Sequence, residues 1–125
     1  LRGSVRVLPS FPAAEEAALF AAADLFVLPS LFEGQPLALL QAMAAGRCCL
    51  ASDIPGPRDV IDHRRTGLLH TAGDAGQLAE QMAECLANPA LRDDLGSAAR
   101  NLMAGRTWSA VAGEVADFIT GVLAS

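Results

Sequence analysis

The stretch DLFVLPSLFEGQPLALLQAMAAGRCCLAS, residues 24–52, decides the fold of this chain. It contains an apolar run of strand length, a loop with a glycine and a proline, an alanine-rich run of helical length, and a second apolar run after Gly46. A strand, a helix and a strand in this order form a parallel βαβ unit. Because neither apolar run alternates with polar residues, helices are expected to cover both faces of the sheet.

The same alternation continues on both sides of this stretch. Strands are predicted at 5–8, 25–29, 47–52 and 66–70, and helices at 13–23, 36–45, 74–87, 89–104 and 108–122. No strand pattern follows residue 70, so the sheet is expected to end there. A length of 125 residues fits one domain with a substantial core. The sequence therefore predicts a single α/β domain over residues 1–125, Rossmann-like, with three layers and a parallel sheet.

Residues at the predicted helix ends agree with this assignment. Pro36 suits a first helical position, and Gly46 is a typical helix stop. Asp74 is a predicted N-cap with Gln77 three positions later, and the Asn88-Pro89 pair separates two helices.

The last predicted helix carries an apolar stripe at helical spacing. Its members are Val111, Val115, Phe118, Ile119 and Val122. Such a stripe is compatible with core packing inside this domain and with docking onto another domain of a longer protein. The sequence does not favour either alternative.

Composition narrows the function classes. With 52% hydrophobic residues, 18% charged residues and a net charge of -5, the chain lacks the basic field that nucleic-acid binding requires. Acidic residues interrupt every stretch that approaches the roughly 20 residues of a membrane span. Three cysteines and two histidines show no metal-ligand spacing, so neither a metal nor a cofactor is expected. We interpret the cysteines as buried thiols of a cytoplasmic, reducing compartment.

The loop before the helix at Pro36 has chemistry that suits a phosphorylated ligand. It follows a predicted parallel strand, and open α/β sheets bind ligands at the carboxyl ends of their strands. Free backbone N–H groups at a helix N-terminus attract phosphate. Glu33 lies just outside this helix, and Gln41 lies about a turn inside it. Taken alone, the spacing favours a solvated acid near a helix dipole and a polar residue on a half-exposed helix, because such patterns arise freely by chance.

Several motifs in order resemble a known family. The segments AAADLFVLPSLFEGQPLALLQAMAAGRCCLASDIPG, DVIDHRRTGLLHTAGDAGQLAEQM and NPALRDDLGSAARNL, and the final TWSAVAGEVADFI, are similar to the C-terminal, donor-binding domain of retaining GT-B glycosyltransferases. This is the large family 4 group, also called the group 1 family. The resemblance extends over nearly all of residues 1–125 and implies a nucleoside-diphosphate sugar as donor.

The resemblance also implies roles for individual residues. Glu33 takes the place of the family's first acid, which contacts the hydroxyls of the donor sugar, and is the predicted catalytic residue. Gln41 takes the place of the acid that holds the ribose, and Phe11 lies in the segment that meets the base. The backbone amides expected to bind the distal phosphate belong to Gly34, Gln35 and Leu37. Asp53 is interpreted as a loop-capping residue.

Two departures from the family pattern limit this assignment. The second acid of the family is Gln41 here, and the chain has no lysine to neutralise the donor diphosphate. An arginine and lysine pair and an acceptor-binding N-terminal domain are expected in sequence that precedes Leu1. The chain alone is therefore expected to be inactive, and any peripheral membrane association would come through that N-terminal half.

The acceptor is left open: a lipid-linked intermediate, a polysaccharide and a small metabolite all fit. Two other functions also remain open, a binding-only module and a nucleotide-sugar epimerase with the same fold. A dinucleotide-dependent oxidoreductase is disfavoured, because no GxGxxG follows a strand.

Overall fold

The structure is a computed structural model that describes residues 3–34, 36–106, 116 and 119–123. Its elements run in the order α1 (Ala13–Ala22), β1 (Leu25–Leu28), α2 (Leu37–Ala44), β2 (Cys48–Ser52), α3 (Pro57–Val60), β3 (Leu68–His70), α4 (Ala75–Ala87) and α5 (Pro89–Ala104). Residues 116 and 119–123 are also helical.

The three strands form a parallel sheet in the order β1-β2-β3. Leu25 pairs with Cys48 at one end of the first strand pair, and Ser52 pairs with His70 at the other end of the second. All five residues of β2 are buried, because this strand has a neighbour on each side and helices above and below. The predicted parallel sheet with two covered faces is confirmed.

Side chains of β2 alternate between two cores. On one face Cys49 and Ala51 pack with Leu39 and Met43 of α2. On the other face Cys48 and Leu50 pack with partly buried side chains of α4, Leu78 and Met82. Helix α5 contributes to both, Ala99 to the first and Leu95 to the second. This is the predicted three-layer arrangement.

The prediction of a strand at 5–8 is wrong. The segment has no regular structure and stays outside the sheet, and Val5 and Val7 are 68% and 81% exposed. A β-branched run becomes a strand only where a sheet edge accepts its hydrogen bonds, and here it meets none. The short helix α3 was not predicted. The predicted helix at 108–122 lies largely outside the described residues.

The apolar stripe of the last helix is described at two positions. Ile119 and Val122 are about half exposed, at 51% and 56%. Val111, Val115 and Phe118 lie outside the described residues. No helix within the described ranges has the length and apolar character to cross a membrane.

The helix ends follow the predicted chemistry. Asp74 Oδ1 accepts a hydrogen bond from the Gln77 N–H at 2.9 Å, and Asn88 Oδ1 accepts one from the Leu91 N–H at 3.1 Å. Gly46 ends α2 with a φ of 74°, a conformation that glycine adopts without a Cβ penalty. Pro36 lies one position earlier in the helix than predicted, at the N-cap.

Candidate functional site

The loops that follow the three strands meet at the carboxyl edge of the sheet. Gly56, after β2, lies against the loop after β1: a Cβ placed on it would come within 3.4 Å of the Glu33 carbonyl oxygen and 3.6 Å of that of Gly34. Gly73, after β3, lies against Leu31 of the same β1 loop, with a corresponding distance of 3.7 Å to Leu31 Cδ2. The β1 loop therefore contacts the loop after β2 and the loop after β3.

Glu33 is held within this loop by a short-range hydrogen bond. Ser30 Oγ donates to Glu33 Oε2 at 3.1 Å, and the carboxylate is partly buried. The other carboxylate oxygen has no hydrogen-bond donor among the described residues. Glu33 is thus oriented by the chain, while one oxygen stays available to a ligand.

The N-terminus of α2 is open. Its N-cap is Pro36, which provides no side-chain acceptor. Within the described part of the chain, the N–H groups of Gly34, Leu37 and Ala38 have no hydrogen-bond acceptor. A Cβ on Gly34 would have nothing within 4 Å, so packing does not explain this glycine, and a ligand can approach the backbone closely. These unpaired groups next to a carboxylate suit a ligand that carries both phosphate and hydroxyl groups.

Gly56 has a backbone conformation that favours glycine. Its φ of 98° is unfavourable for any residue with a Cβ, although a Cβ there would make only ordinary contacts with the β1 loop. The Asp59 carboxylate accepts a hydrogen bond from the Gly56 N–H at 3.4 Å and so closes the turn into α3. Asp53 pairs with Arg58 at 2.8 Å across the same turn, which fits its predicted role as a loop-capping residue.

Phe11 and Gln41 line one groove of about 370 Å³ between α1 and α2. The volume lies in the range of small-molecule sites. The groove walls are mainly apolar. The other lining residues are Glu16, Leu19, Phe20, Ala23, Phe26 and Ala38.

The predicted site residues fall into two groups. Phe11 and Gln41 share the groove, whereas Glu33, Gly34 and Leu37 lie on the loop and at the open helix end. Gln35 lies outside the described residues.

Two contributors were missed by the sequence analysis. Ser30 orients Glu33, and Glu16 lines the groove. Glu16 had a sequence signal, since it is one of two consecutive acids near a helix start. The spacing alone could not tell which of the two faces the groove.

Two polar side chains are buried at the carboxyl ends of β2 and β3. Ser52 and His70 are register partners and are 0% and 2% exposed. Within the described ranges, Ser52 Oγ and His70 Nδ1 have no hydrogen-bond partner. Burial lowers the pKa of His70, and the nearby Asp74 carboxylate opposes this shift in part. The imidazole is therefore neutral near pH 7 and lies below the loops.

The cysteines have a packing role. All three are buried and free, as predicted, and Cys48 and Cys85 are in sulfur contact at 3.7 Å. Burial raises the pKa of Cys49 to about 12 and also raises that of Cys48, so both thiols stay protonated. No cluster of His, Cys, Asp and Glu among the described residues could hold a metal ion.

Comparisons with known proteins point to one family. Residues 1–102 match the family Glycosyl transferases group 1. The D-inositol 3-phosphate glycosyltransferase of Pseudarthrobacter chlorophenolicus is 38% identical over 108 residues, which are 86% of this chain and 26% of that protein. The chain thus spans about a quarter of the length of this relative.

Solved structures show the same fold. Sucrose-phosphate synthase from Thermosynechococcus elongatus aligns with a TM-score of 0.77 and 31% identity, over 85% of this chain and 27% of that one. HepE from Anabaena, solved with UDP, aligns with a TM-score of 0.77 and 23% identity, over 82% of this chain and 29% of that one. From its motifs, its fold and these similarities, the chain belongs to the group 1 family of GT-B glycosyltransferases.

Proposed function

We propose that this chain is the donor-binding domain of a glycosyltransferase that transfers a sugar from a nucleoside diphosphate to an acceptor with retention of configuration. The observation that carries the proposal is the pairing of an open helix N-terminus with an oriented carboxylate, Glu33, beside a groove of nucleoside size. Phosphate, sugar hydroxyls and an apolar base are the three chemistries of a nucleotide sugar.

Different residues bind different parts of the donor. The N–H groups of Gly34, Gln35 and Leu37 bind the distal phosphate at the positive end of α2. The free oxygen of Glu33 accepts hydrogen bonds from hydroxyls of the sugar. Gln41 and Phe11 hold the ribose and the base in the groove.

Transfer requires more than these residues. As the bond to the anomeric carbon breaks, negative charge grows on the departing diphosphate, and the helix N-terminus stabilises only part of it. Cations that complete this stabilisation, and the groove for the acceptor, belong to an N-terminal region of a longer protein. This division fits the share of about a quarter that the chain covers in its relative.

The amide at position 41 provides the most direct test. A carboxylate accepts hydrogen bonds from both hydroxyls of a ribose diol, whereas an amide offers one acceptor oxygen. We expect Gln41→Glu to tighten binding of a nucleoside diphosphate by about tenfold, as measured by titration calorimetry. Asn101→Asp, an exposed position on α5, adds the same charge away from the groove and should leave binding unchanged. Equal or weaker binding in Gln41→Glu would remove Gln41 from the ribose site.

Glu33 should respond differently from Gln41. Because Glu33 is assigned to the sugar, Glu33→Ala is expected to leave binding of the free nucleoside diphosphate within about twofold and to reduce transfer by a longer protein at least about a hundredfold. Loss of nucleotide binding in this variant would contradict the assignment. Transfer by the 125-residue chain above the level of its Glu33→Ala variant would contradict the need for an N-terminal region.

A further inference from the structure

The groove beside α2 contains one carboxylate that the function above does not use. Glu16, on the first turn of α1, lines the groove together with Gln41, Phe11 and other apolar side chains. It is partly buried, and among the described residues it has no hydrogen bond and no ion pair. None of the residues that line the groove is basic.

A helix-dipole role does not explain where Glu16 points. Glu15 and Glu16 both lie in the first turn of α1, where acids stabilise a helix. Glu15 is exposed and does not line the groove, whereas Glu16 does. A carboxylate among apolar walls loses part of its hydration, and a ligand that enters must supply N–H or O–H donors in exchange.

We propose that Glu16 reads the base of the donor and selects guanine, which makes the substrate a GDP-sugar. The inference rests on the proposed function, since it places a nucleoside in the groove. Ribose contacts remain with Gln41, and Phe11, which is 45% exposed, is the aromatic side chain available to the face of the base.

The choice of guanine follows from the donors on each base. Guanine presents a ring N1–H beside a 2-amino group, and these two adjacent donors match the two oxygens of a carboxylate. Uracil presents a single N–H between two carbonyl oxygens, which repel a carboxylate. Adenine presents its amino group beside a ring nitrogen with a lone pair, so the second carboxylate oxygen is again repelled. A carboxylate at this position therefore favours guanine and disfavours both alternatives.

Titration calorimetry of the 125-residue chain with GDP, UDP, ADP and inosine diphosphate tests the inference. We expect GDP to bind at least about tenfold more tightly than UDP or ADP. Inosine diphosphate lacks the 2-amino group and should bind about tenfold more weakly than GDP. Glu16→Gln should weaken GDP binding by about tenfold and bring GDP and inosine diphosphate closer together. The same change should tighten UDP binding, because the amide removes the repulsion between the carboxylate and the uracil carbonyls. Glu15→Gln is the matched control and should change none of these values.

The possible failures are distinguishable. If the unaltered chain binds no nucleoside diphosphate, the proposed function is overturned together with this inference. If it binds all of them equally and Glu16→Gln weakens all of them equally, Glu16 contacts the ribose, and base selection is overturned while the proposed function stands. If Glu16→Gln binds every nucleotide as the unaltered chain does, Glu16 lies outside the ligand site, and the inference is again overturned.

Discussion

The two ends of the sheet have opposite polar chemistry. At the amino end, Arg47 Nη1 donates to the Ala23 carbonyl at 3.2 Å. At the same end, Arg92 Nη1 donates to the last carbonyls of α4, at 2.7 Å to Cys85 and 2.9 Å to Leu86. At the carboxyl end, the first N–H groups of α2 have no acceptor within the described ranges, and two buried polar atoms have no partner there either.

This difference separates polar groups that stabilise the fold from polar groups that are available to a ligand. Helix C-termini expose carbonyls, and at the amino end arginine side chains already occupy them. Helix N-termini expose N–H groups, and at the carboxyl end those of α2 have no acceptor among the described residues. Unpaired polar groups lower stability unless something binds them, so those at the carboxyl end are candidates for contact with a ligand.

We call the amino end of the sheet the closed end, because arginine side chains occupy its helix carbonyls, and the carboxyl end the open end. A substitution at the closed end should have the largest effect on stability. A Cβ on Gly96 of α5 would overlap the carbonyl oxygen of Gly46, where α5 crosses the end of α2. We expect Gly96→Ala to lower the free energy of unfolding by about 3 kcal/mol, because neither backbone can move without disturbing the core. Urea denaturation measures the change.

Gly34→Ala is the matched substitution at the open end. Nothing lies within 4 Å of the added methyl group, so the unfolding free energy should change by less than about 0.5 kcal/mol. Equal stability losses in the two variants would contradict the division between a closed and an open end.

The capped and uncapped helices of the carboxyl end offer a second test. Asp74 caps α4 through the Gln77 N–H, and its loss should lower the unfolding free energy by about 1 kcal/mol. Because α4 is not part of the candidate ligand site, Asp74→Ala should leave nucleotide affinity unchanged in calorimetry. Asn88→Ala, which removes the cap of α5 at the amino end of the sheet, should likewise lower stability and leave affinity unchanged. A large loss of affinity in Asp74→Ala would extend the site to the β3 loop.

The smallest expected effect is a pH dependence at His70. Burial lowers its folded-state pKa below the ordinary value of 6.5, so the unfolded chain binds more protons as the pH falls. The stability that the neutral imidazole contributes is complete above about pH 6.5 and is lost as the pH falls below it. His70→Leu should therefore melt with a weaker pH dependence between pH 7 and 5 than the unaltered chain. Parallel melting curves for the two proteins would contradict a buried neutral histidine.

Much of the fold could be predicted from local sequence patterns. Apolar runs at 25–29 and 47–52, the alanine-rich run between them, and the caps at Asp74 and Asn88 each carry their own signal. Their predicted ends agree with the structure within a residue or two. The run VRVL at 5–8 has the same type of signal and forms no strand. Pairing with a sheet edge is a tertiary event that residue types do not encode.

The sequence by itself determined the chemistry of the candidate site. Glu33, Gly34 and the proline-led start of α2 are adjacent in the chain, so a carboxylate beside open N–H groups follows from their order. Only the tertiary structure decided which distant residues join them. Phe11, Glu16 and Gln41 come together because residues of α1 and α2 line the same groove. Gly56 contacts the Glu33 loop because parallel strands end at the same edge. Contacts across such separations depend on how helices pack and strands pair, and no local spacing in the sequence specifies that geometry.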